Sequence, residues 1–509
     1  MVLTLIQKLY QVRLLTPAGL LRLLEAILST GVNLMALLRL AAKLHPARLA
    51  VTTDREQLSY FQLWQQAETL ALALRTDYEL CRQQKVAIIC RNHAAAIKTL
   101  FAVSRLGAHV FLLNPELSAG QILALMDRLQ FDFLVYDEQL APLFEDVSLK
   151  NKSLPAYHSS GPSIDRLSSR SGAGKVTLRK TAAGNLVVLT GGTTGQPKSV
   201  SRKPSLFNFL PPFLALLTQA HLDRYQSLYI ATPIYHGHGL AFLLIGVALG
   251  AELYFTERFE AGRACALIAA HQIQAVTVVP LMLQRMLKQG ANSLSSLQCI
   301  ISGSALLSPA LAQETLTRLG PKLFNLYGAS EAGFCIIGTP DIISRKPEAL
   351  GKPIRGVQAK IINEAGLEVA ESMMGRLCIR SAWTTQREKW IETGDLAYRD
   401  AEGDIFLCGR ADDMIVSGGE NVYPVELENV LLQHPEIDSV AVVGMPDAEF
   451  GQRLKAVVIK KPDARLDQAA LLTWLKPRVA RYQMPALIDF RDELPYTSLG
   501  KLDKKALRE

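Results

Sequence analysis

The sequence predicts an α/β protein. A large N-terminal domain of parallel or mixed sheets with helices carries a β-rich subdomain, and a small α+β C-terminal domain follows. Three observations lead there. Short β-branched runs alternate with helical segments over residues 50–137, a rhythm that builds a parallel sheet with helices on its faces. The rhythm resumes at Leu186 and gives way after Gly351 to shorter strands and turns. Beyond Arg410 one strand–helix–strand stretch stands apart, in a tail of about a hundred residues, long enough to be a domain of its own.

With 509 residues the chain is too long for one ordinary core. It divides into an N-terminal amphipathic helical segment (1–46), a large domain (47–410) and a small C-terminal domain (411–509). The first segment is Leu-rich and carries Lys8, Arg13, Arg22, Glu25, Arg39 and Lys43 between its apolar faces. It reads either as two helices packed on the main domain or as a basic amphipathic region lying on a membrane. Its charges and Pro17 interrupt it before about twenty apolar residues accumulate, so no spanning helix is expected. It lacks a compact apolar run ahead of a small-residue cleavage site, so a signal peptide is not expected either.

Residues 86–90 read as a strand, 94–106 as a helix stopped by Gly107, and 110–113 and 131–136 as strands. Residues 148–183, rich in Ser, Gly and Lys, read as an exposed connection. Residues 186–189, 227–231, 275–279 and 297–301 follow as buried strands, and 358–362 and 375–380 as strands of the β-rich part. The tail then offers 422–434, 440–443 and 455–459 as its strand–helix–strand unit.

Composition narrows the class. About half the residues are apolar and the aromatics are scattered, which fits a large folded enzyme and excludes disorder. The net charge of +8 suits anionic small molecules or an acidic membrane surface. There is no Lys/Arg block and no basic–aromatic pattern, so nucleic acid is not an expected partner. The cysteines Cys81, Cys90, Cys265, Cys299, Cys335, Cys378 and Cys408 are odd in number and form no Cys-x-x-Cys pair, as reduced thiols in a cytoplasmic protein would be.

The strongest local signal is Thr190, Gly191, Gly192, Thr193, Thr194, Gly195, Gln196, Pro197 and Lys198, directly after a strand. Glycines let several backbone N–H groups converge on one anion, threonine hydroxyls add donors, and Lys198 supplies a charge able to reach a terminal phosphate. No Lys-Ser/Thr pair follows the last glycine, so this is not a Walker A loop. A plain Gly/Thr turn is the alternative, and the hydroxyls and lysine at fixed offsets speak against it. All nine positions resemble the signature of the adenylate-forming superfamily: acyl-CoA synthetases, peptide-synthetase adenylation domains and luciferases. Ser199 stands where many members have glycine.

Other stretches resemble the same family in the same order, from about Leu58 to Lys501. Ser302, Gly303, Ser304 and Ala305 are similar to its adenine-contacting turn. Asn325, Leu326, Tyr327, Gly328, Ala329, Ser330 and Glu331 resemble its Tyr-Gly-x-Thr-Glu segment, with serine for threonine. The resemblance implies that Tyr327 stacks on adenine and that Glu331 holds Mg²⁺, for which a carboxylate is a suitable hard ligand. Thr393, Gly394 and Asp395 resemble the ribose segment, where one carboxylate accepts both ribose hydroxyls. Gly409, Arg410, Ala411, Asp412 and Asp413 resemble the hinge, with Arg410 on the ribose or α-phosphate and Asp412 as the pivot of a mobile C-terminal domain. Gly418 and Gly419, within 417–424, resemble the loop on the coenzyme A side. Lys501, closing 495–501, resembles the adenylation lysine. His236, within 232–239, is similar to the histidine lining the acyl site. Each stretch alone also reads as an ordinary turn, a helix start, a surface ion pair or a solvated lysine. A metal on His236 and His238 is set aside, since two histidines do not make a site. Between Arg380 and Trp390 the chain departs from the family, with a short segment in place of a longer Gly/Tyr-containing insertion.

The resemblance therefore implies an ATP-dependent acid–thiol ligase with Mg²⁺, releasing pyrophosphate and passing the acyl group to coenzyme A. Lys501, Lys198, His236 and Glu331 are its expected catalytic residues. Residues 409–424 look most like bacterial fatty-acyl-CoA synthetases, and the apolar run 240–249 reads as a core helix or the wall of an acyl tunnel. A medium- or long-chain fatty acid is accordingly expected. The alternatives are an acyl-AMP ligase loading a carrier protein, an aryl-CoA ligase, and a non-catalytic scaffold at a membrane surface.

Overall fold

The structure is a computed structural model, and it describes residues 8–10, 15–144, 152–170, 178–190, 198–202, 206–329, 332–382, 384, 389–417, 420–447, 450–497 and 500–508. The chain folds as two compact units, Met1–Val278 with Lys288–Ile301, and Val279–Leu287 with Ser302–Glu509.

The first unit opens with helices α1 (Pro17–Thr30) and α2 (Leu34–Leu44). Thr16 caps α1 by accepting the Gly19 N–H, Pro17 opens it, and Gly31 at φ +91° ends it. Asn33 caps α2, whose Leu34, Met35, Leu38, Leu40 and Leu44 are buried.

A six-stranded sheet follows, in the order Ser153–Pro155, Phe133–Tyr136, Lys85–Ile89, His109–Leu112, Leu186–Thr190, Lys198–Arg202. Every pair is parallel except the last. Both faces are covered, which is why its central strands are unbroken apolar runs and the helix Ala94–Leu106 is buried throughout. The same unit pairs Ala275–Val278, Ser227–Ile230, Glu252–Tyr254 and Leu49–Thr52 in parallel, with Gln57–Ser59 antiparallel at the edge.

One expectation is corrected here. Residues 148–183 are not simply an exposed connection. Ser153–Pro155 joins the sheet edge, Ile164–Ser168 is helical, and Leu154, Ile164 and Leu167 are buried. A parallel edge strand needs only backbone pairing, so a polar composition conceals it.

The second unit holds an antiparallel run in the order Leu323–Ala329, Gly333–Gly338, Ala349–Pro353, Ile405–Arg410, Ile391–Arg399, Gly375–Ser381, Val357–Ile362. Past Arg410 a separate sheet orders Glu420–Val422, Ile415–Ser417, Gly451–Lys460 and Ile437–Asp447, with Leu487–Arg491 parallel to Gly451–Lys460. Helices Pro424–Leu431 and Gln468–Leu475 cover one face with Leu427, Leu431, Leu471 and Leu475. Leu494 and Leu507 cover the other.

Candidate active site

Three sequence-predicted residues converge in the second unit. Strands Ile391–Arg399 and Ile405–Arg410 are antiparallel neighbours, and their register sets Asp395 directly opposite Arg410. Residues 15 apart in the chain thus become a cross-strand pair, with Arg410 Nη1 3.2 Å from Asp395 Oδ1. Arg410 also donates to the Thr393 carbonyl at 3.2 Å and to Asp412 Oδ1 at 3.0 Å. Tyr327 completes the group: its hydroxyl donates to Asp395 Oδ2 at 2.5 Å. Thr393 steadies the turn by donating to the Leu377 carbonyl and accepting the Asp395 N–H. Gly394 takes φ +78°, and a Cβ there would lie 2.9 Å from an Arg410 guanidinium nitrogen. Only glycine lets that guanidinium lie flat against the turn.

Electrostatics follow from burial. Desolvation raises the Asp395 pKa; the Tyr327 hydrogen bond and Arg410 oppose it without cancelling it. Burial and the Asp395 charge push the Tyr327 phenol well above its usual value, so it stays a donor.

Lys501 belongs to a tight hairpin. Thr497 N–H donates to the Lys501 carbonyl at 2.8 Å, Gly500 N–H donates to the Thr497 carbonyl at 2.8 Å, and Gly500 takes φ +69°. The side chain keeps an exposed surface, yet the protein around it and then Arg410 lower its pKa, with Asp395 opposing. Lys501 therefore feels the same two charges that form the Asp395–Arg410 pair. Asp412 is the middle residue of the single turn Ala411–Asp413 beside them, and Asp413 is held by Lys504 at 3.1 Å and Arg508 at 3.8 Å.

Gly303 ends strand Cys299–Gly303, and Ser304 takes the left-handed φ of +68°. Asn325 is buried, and a Cβ on Gly328 would lie 2.6 Å from the Gly333 carbonyl oxygen. Ala305 follows in the same turn. Of the phosphate loop, the structure describes the two feet. Thr190 pairs with Lys198 across the antiparallel strands Leu186–Thr190 and Lys198–Arg202. Gly191, Gly192, Thr193, Thr194, Gly195, Ser330, Glu331, Gly418 and Gly419 lie outside the described residues.

In the first unit His236 sits at the start of helix Gly237–Leu249, its ring 4.5 Å from that of Tyr235. The loop before it is pinned by Asn92, a buried residue that sequence reasoning missed. Asn92 donates to the Thr232 carbonyl at 3.2 Å and accepts the Ile234 N–H at 2.8 Å. The one available signal was a polar triplet, Arg91-Asn92-His93, at the end of an apolar strand. His238 is enclosed beside Phe242, and burial lowers its pKa to about 4. It stays neutral at physiological pH.

The apolar run after His236 is largely core. Phe242, Leu243 and Val247 are buried, and Gly246 packs against Leu253. A small cavity of about 10 Å³ lies beside Ile245 and Leu249. The run's Ala241, Ile245, Ala248 and Leu249 are only half-buried. Elsewhere Cys90, His93 and Asp137 cluster with metal-ligand atoms. His93 Nδ1 accepts the Ala96 N–H at 3.1 Å at the helix start and Nε2 faces Asp137 Oδ1 at 2.7 Å, so both ring nitrogens are engaged.

With this geometry in hand, comparison with known proteins is direct. The AMP-binding enzyme family matches residues 38–387, and the AMP-binding enzyme C-terminal domain matches residues 426–501. The chain belongs to this family of adenylate-forming enzymes. It is 30% identical to an indoleacetate–CoA ligase of Aromatoleum aromaticum, over 92% of this chain and 96% of that one. It is 31% identical to a medium/long-chain-fatty-acid–CoA ligase of Mycobacterium tuberculosis, over 63% of this chain and 60% of that one. The o-succinylbenzoate CoA synthetase of Bacillus subtilis, solved with its acyl-adenylate intermediate, superposes with a TM-score of 0.80 at 25% identity, covering 93% of this chain and 98% of that one.

Proposed function

We propose that this enzyme is an AMP-forming acid–CoA ligase whose acid carries an aromatic ring. The carrying observation is the hydrogen-bonded Tyr327–Asp395–Arg410 group with Lys501 within its electrostatic reach. In this reading Asp395 holds the ribose hydroxyls, Tyr327 flanks the adenine, and Arg410 faces the ribose or α-phosphate. A carboxylate oxygen of the acid attacks the α-phosphorus, the bond to pyrophosphate breaks, and acyl-AMP forms. Lys501 and Lys198 stabilise negative charge that builds on the phosphates. Glu331, a hard oxygen donor, would hold Mg²⁺, which neutralises phosphate charge when bound. The thiol of coenzyme A then attacks the acyl carbonyl and AMP leaves. Rotation about Asp412 brings Gly418 and Gly419 to the site for that second step, and His236 lines the acyl side.

The aromatic acid is favoured by the full-length similarity to the indoleacetate enzyme. A medium- or long-chain fatty acid is the second reading, favoured by the Mycobacterium tuberculosis relative. Pyrophosphate release over a panel of arylacetates, benzoates and straight-chain acids, with and without coenzyme A, tests both. A preference for aryl acids with a CoA thioester product is expected. Specificity constants climbing with aliphatic chain length would favour the second reading, and release unaffected by CoA alongside transfer to a carrier protein would remove the CoA assignment.

A further inference from the structure

Helix α1 buries only one side. Gly19, Ala26 and Thr30 are enclosed, and Leu23 and Ile27 pack with Ala36, Leu40 and Leu44 of α2. The other side presents Leu20, Leu21, Leu24 and Leu28, which are 46%, 69%, 54% and 54% exposed. Leu20, Leu24 and Leu28 recur every four residues, so they form one row along the helix with Leu21 beside it. Leu15 and Val32 are also exposed, one beyond each end. Exposed leucines are ordinary when scattered; a row of them marks a contact surface.

The surroundings say which contact. Arg22 lies on α1, and Arg39 and Lys43 on α2. Against these three cations stands Glu25, which Arg39 and Lys43 both hold. Arg39 also lies over the Trp64 ring at 5.2 Å, and Trp64 packs on the exposed Phe61. A leucine row on a helix whose neighbour carries cations, one of them over a Trp ring, has the make-up of an element lying in a lipid–water interface. At 14 residues α1 is short of the roughly twenty needed to span, and no helix among the described residues is long and apolar enough to cross. A second copy of the chain would bring the same excess of cations to both sides of the contact. Phospholipid headgroups supply the missing anions.

We propose that the outer face of α1 docks on an anionic bilayer, with Leu20, Leu21, Leu24 and Leu28 among the acyl chains and Arg22, Arg39 and Lys43 at the headgroups. The test is co-sedimentation of the full chain with vesicles of phosphatidylcholine alone and of phosphatidylcholine mixed with phosphatidylglycerol. Binding to the mixed vesicles is expected, weakened by salt. The pair Leu21→Asp and Leu24→Asp, on exposed positions away from the candidate site, should lower that binding roughly tenfold or more and leave pyrophosphate release unchanged. Arg22→Glu, which keeps every leucine, should weaken binding to the mixed vesicles several-fold. Equal sedimentation of wild type and the Leu21/Leu24 variant, or none with either vesicle, overturns the proposal. So does light scattering in which wild type is a dimer and that variant a monomer, since the face would then join two copies.

Discussion

Asp395 shows how one carboxylate is set between opposing forces. Burial lifts its pKa, and Tyr327 and Arg410 pull it back only in part. In the ribose-binding role proposed for it the charged carboxylate is the better acceptor, so KM for ATP should rise as pH falls through that pKa, at a higher pH than for an ordinary aspartate of about 3.9. Tyr327→Phe removes a bond that stabilises the charged form, so the same rise should occur at higher pH still. Measuring KM against pH for both proteins checks the sign. Lys501 runs the other way. Its pKa is lowered by desolvation from the surrounding protein and then by Arg410, so adenylation should fall as pH rises through it, earlier than for an ordinary lysine. Lys501→Ala should cut acyl-AMP formation by about 100-fold or more while thiolysis of supplied acyl-AMP survives, because the lysine is assigned to the first step alone. Equal loss of both half-reactions, followed by stopped-flow, would show that assignment to be wrong.

At the scale of elements, function rests on short segments fixed by a few bonds. The 232–236 loop has no regular structure of its own, and the Asn92 amide holds both the Thr232 carbonyl and the Ile234 N–H. Asn92→Ala leaves that buried N–H without its acceptor, at a cost of about 1–3 kcal/mol. Thermal unfolding should report the loss, and KM for the acid should rise if His236 lines the acyl site. Asn92→Asp, which keeps an acceptor for Ile234, should recover part of the stability. The hairpin Ile391–Arg399/Ile405–Arg410 plays the same part for Asp395 and Arg410, through register instead of a side-chain clamp.

For the whole molecule the proposed function calls for alternation between two reactions in one chain. Asp412 carries the pivot assignment. It meets Arg410 on one side, and its neighbour Asp413 is tied to Lys504 and Arg508 on the C-terminal helix Lys504–Arg508. Asp412→Pro stiffens φ at that point. Single-turnover assays should find thioester formation slowed far more than pyrophosphate release. Equal slowing would place the pivot elsewhere.

The sequence by itself determined the α/β class, the positions of most of the strands it named to within two residues, and the membership carried by Thr190–Lys198, Tyr327, Asp395, Arg410 and Lys501. These were legible because apolar runs, glycine-rich turns and motif spacing are local properties, written in consecutive residues. Tertiary structure alone decided which distant residues meet. The Asp395–Arg410 register, the Tyr327 hydroxyl on that carboxylate and the Asn92 clamp all join residues 15 to 142 positions apart. It also decided that the apolar run 240–249 is largely core and that one side of α1 faces outward. Hydrophobicity says that a side chain avoids water; only its packed neighbours say whether protein, substrate or lipid takes the water's place.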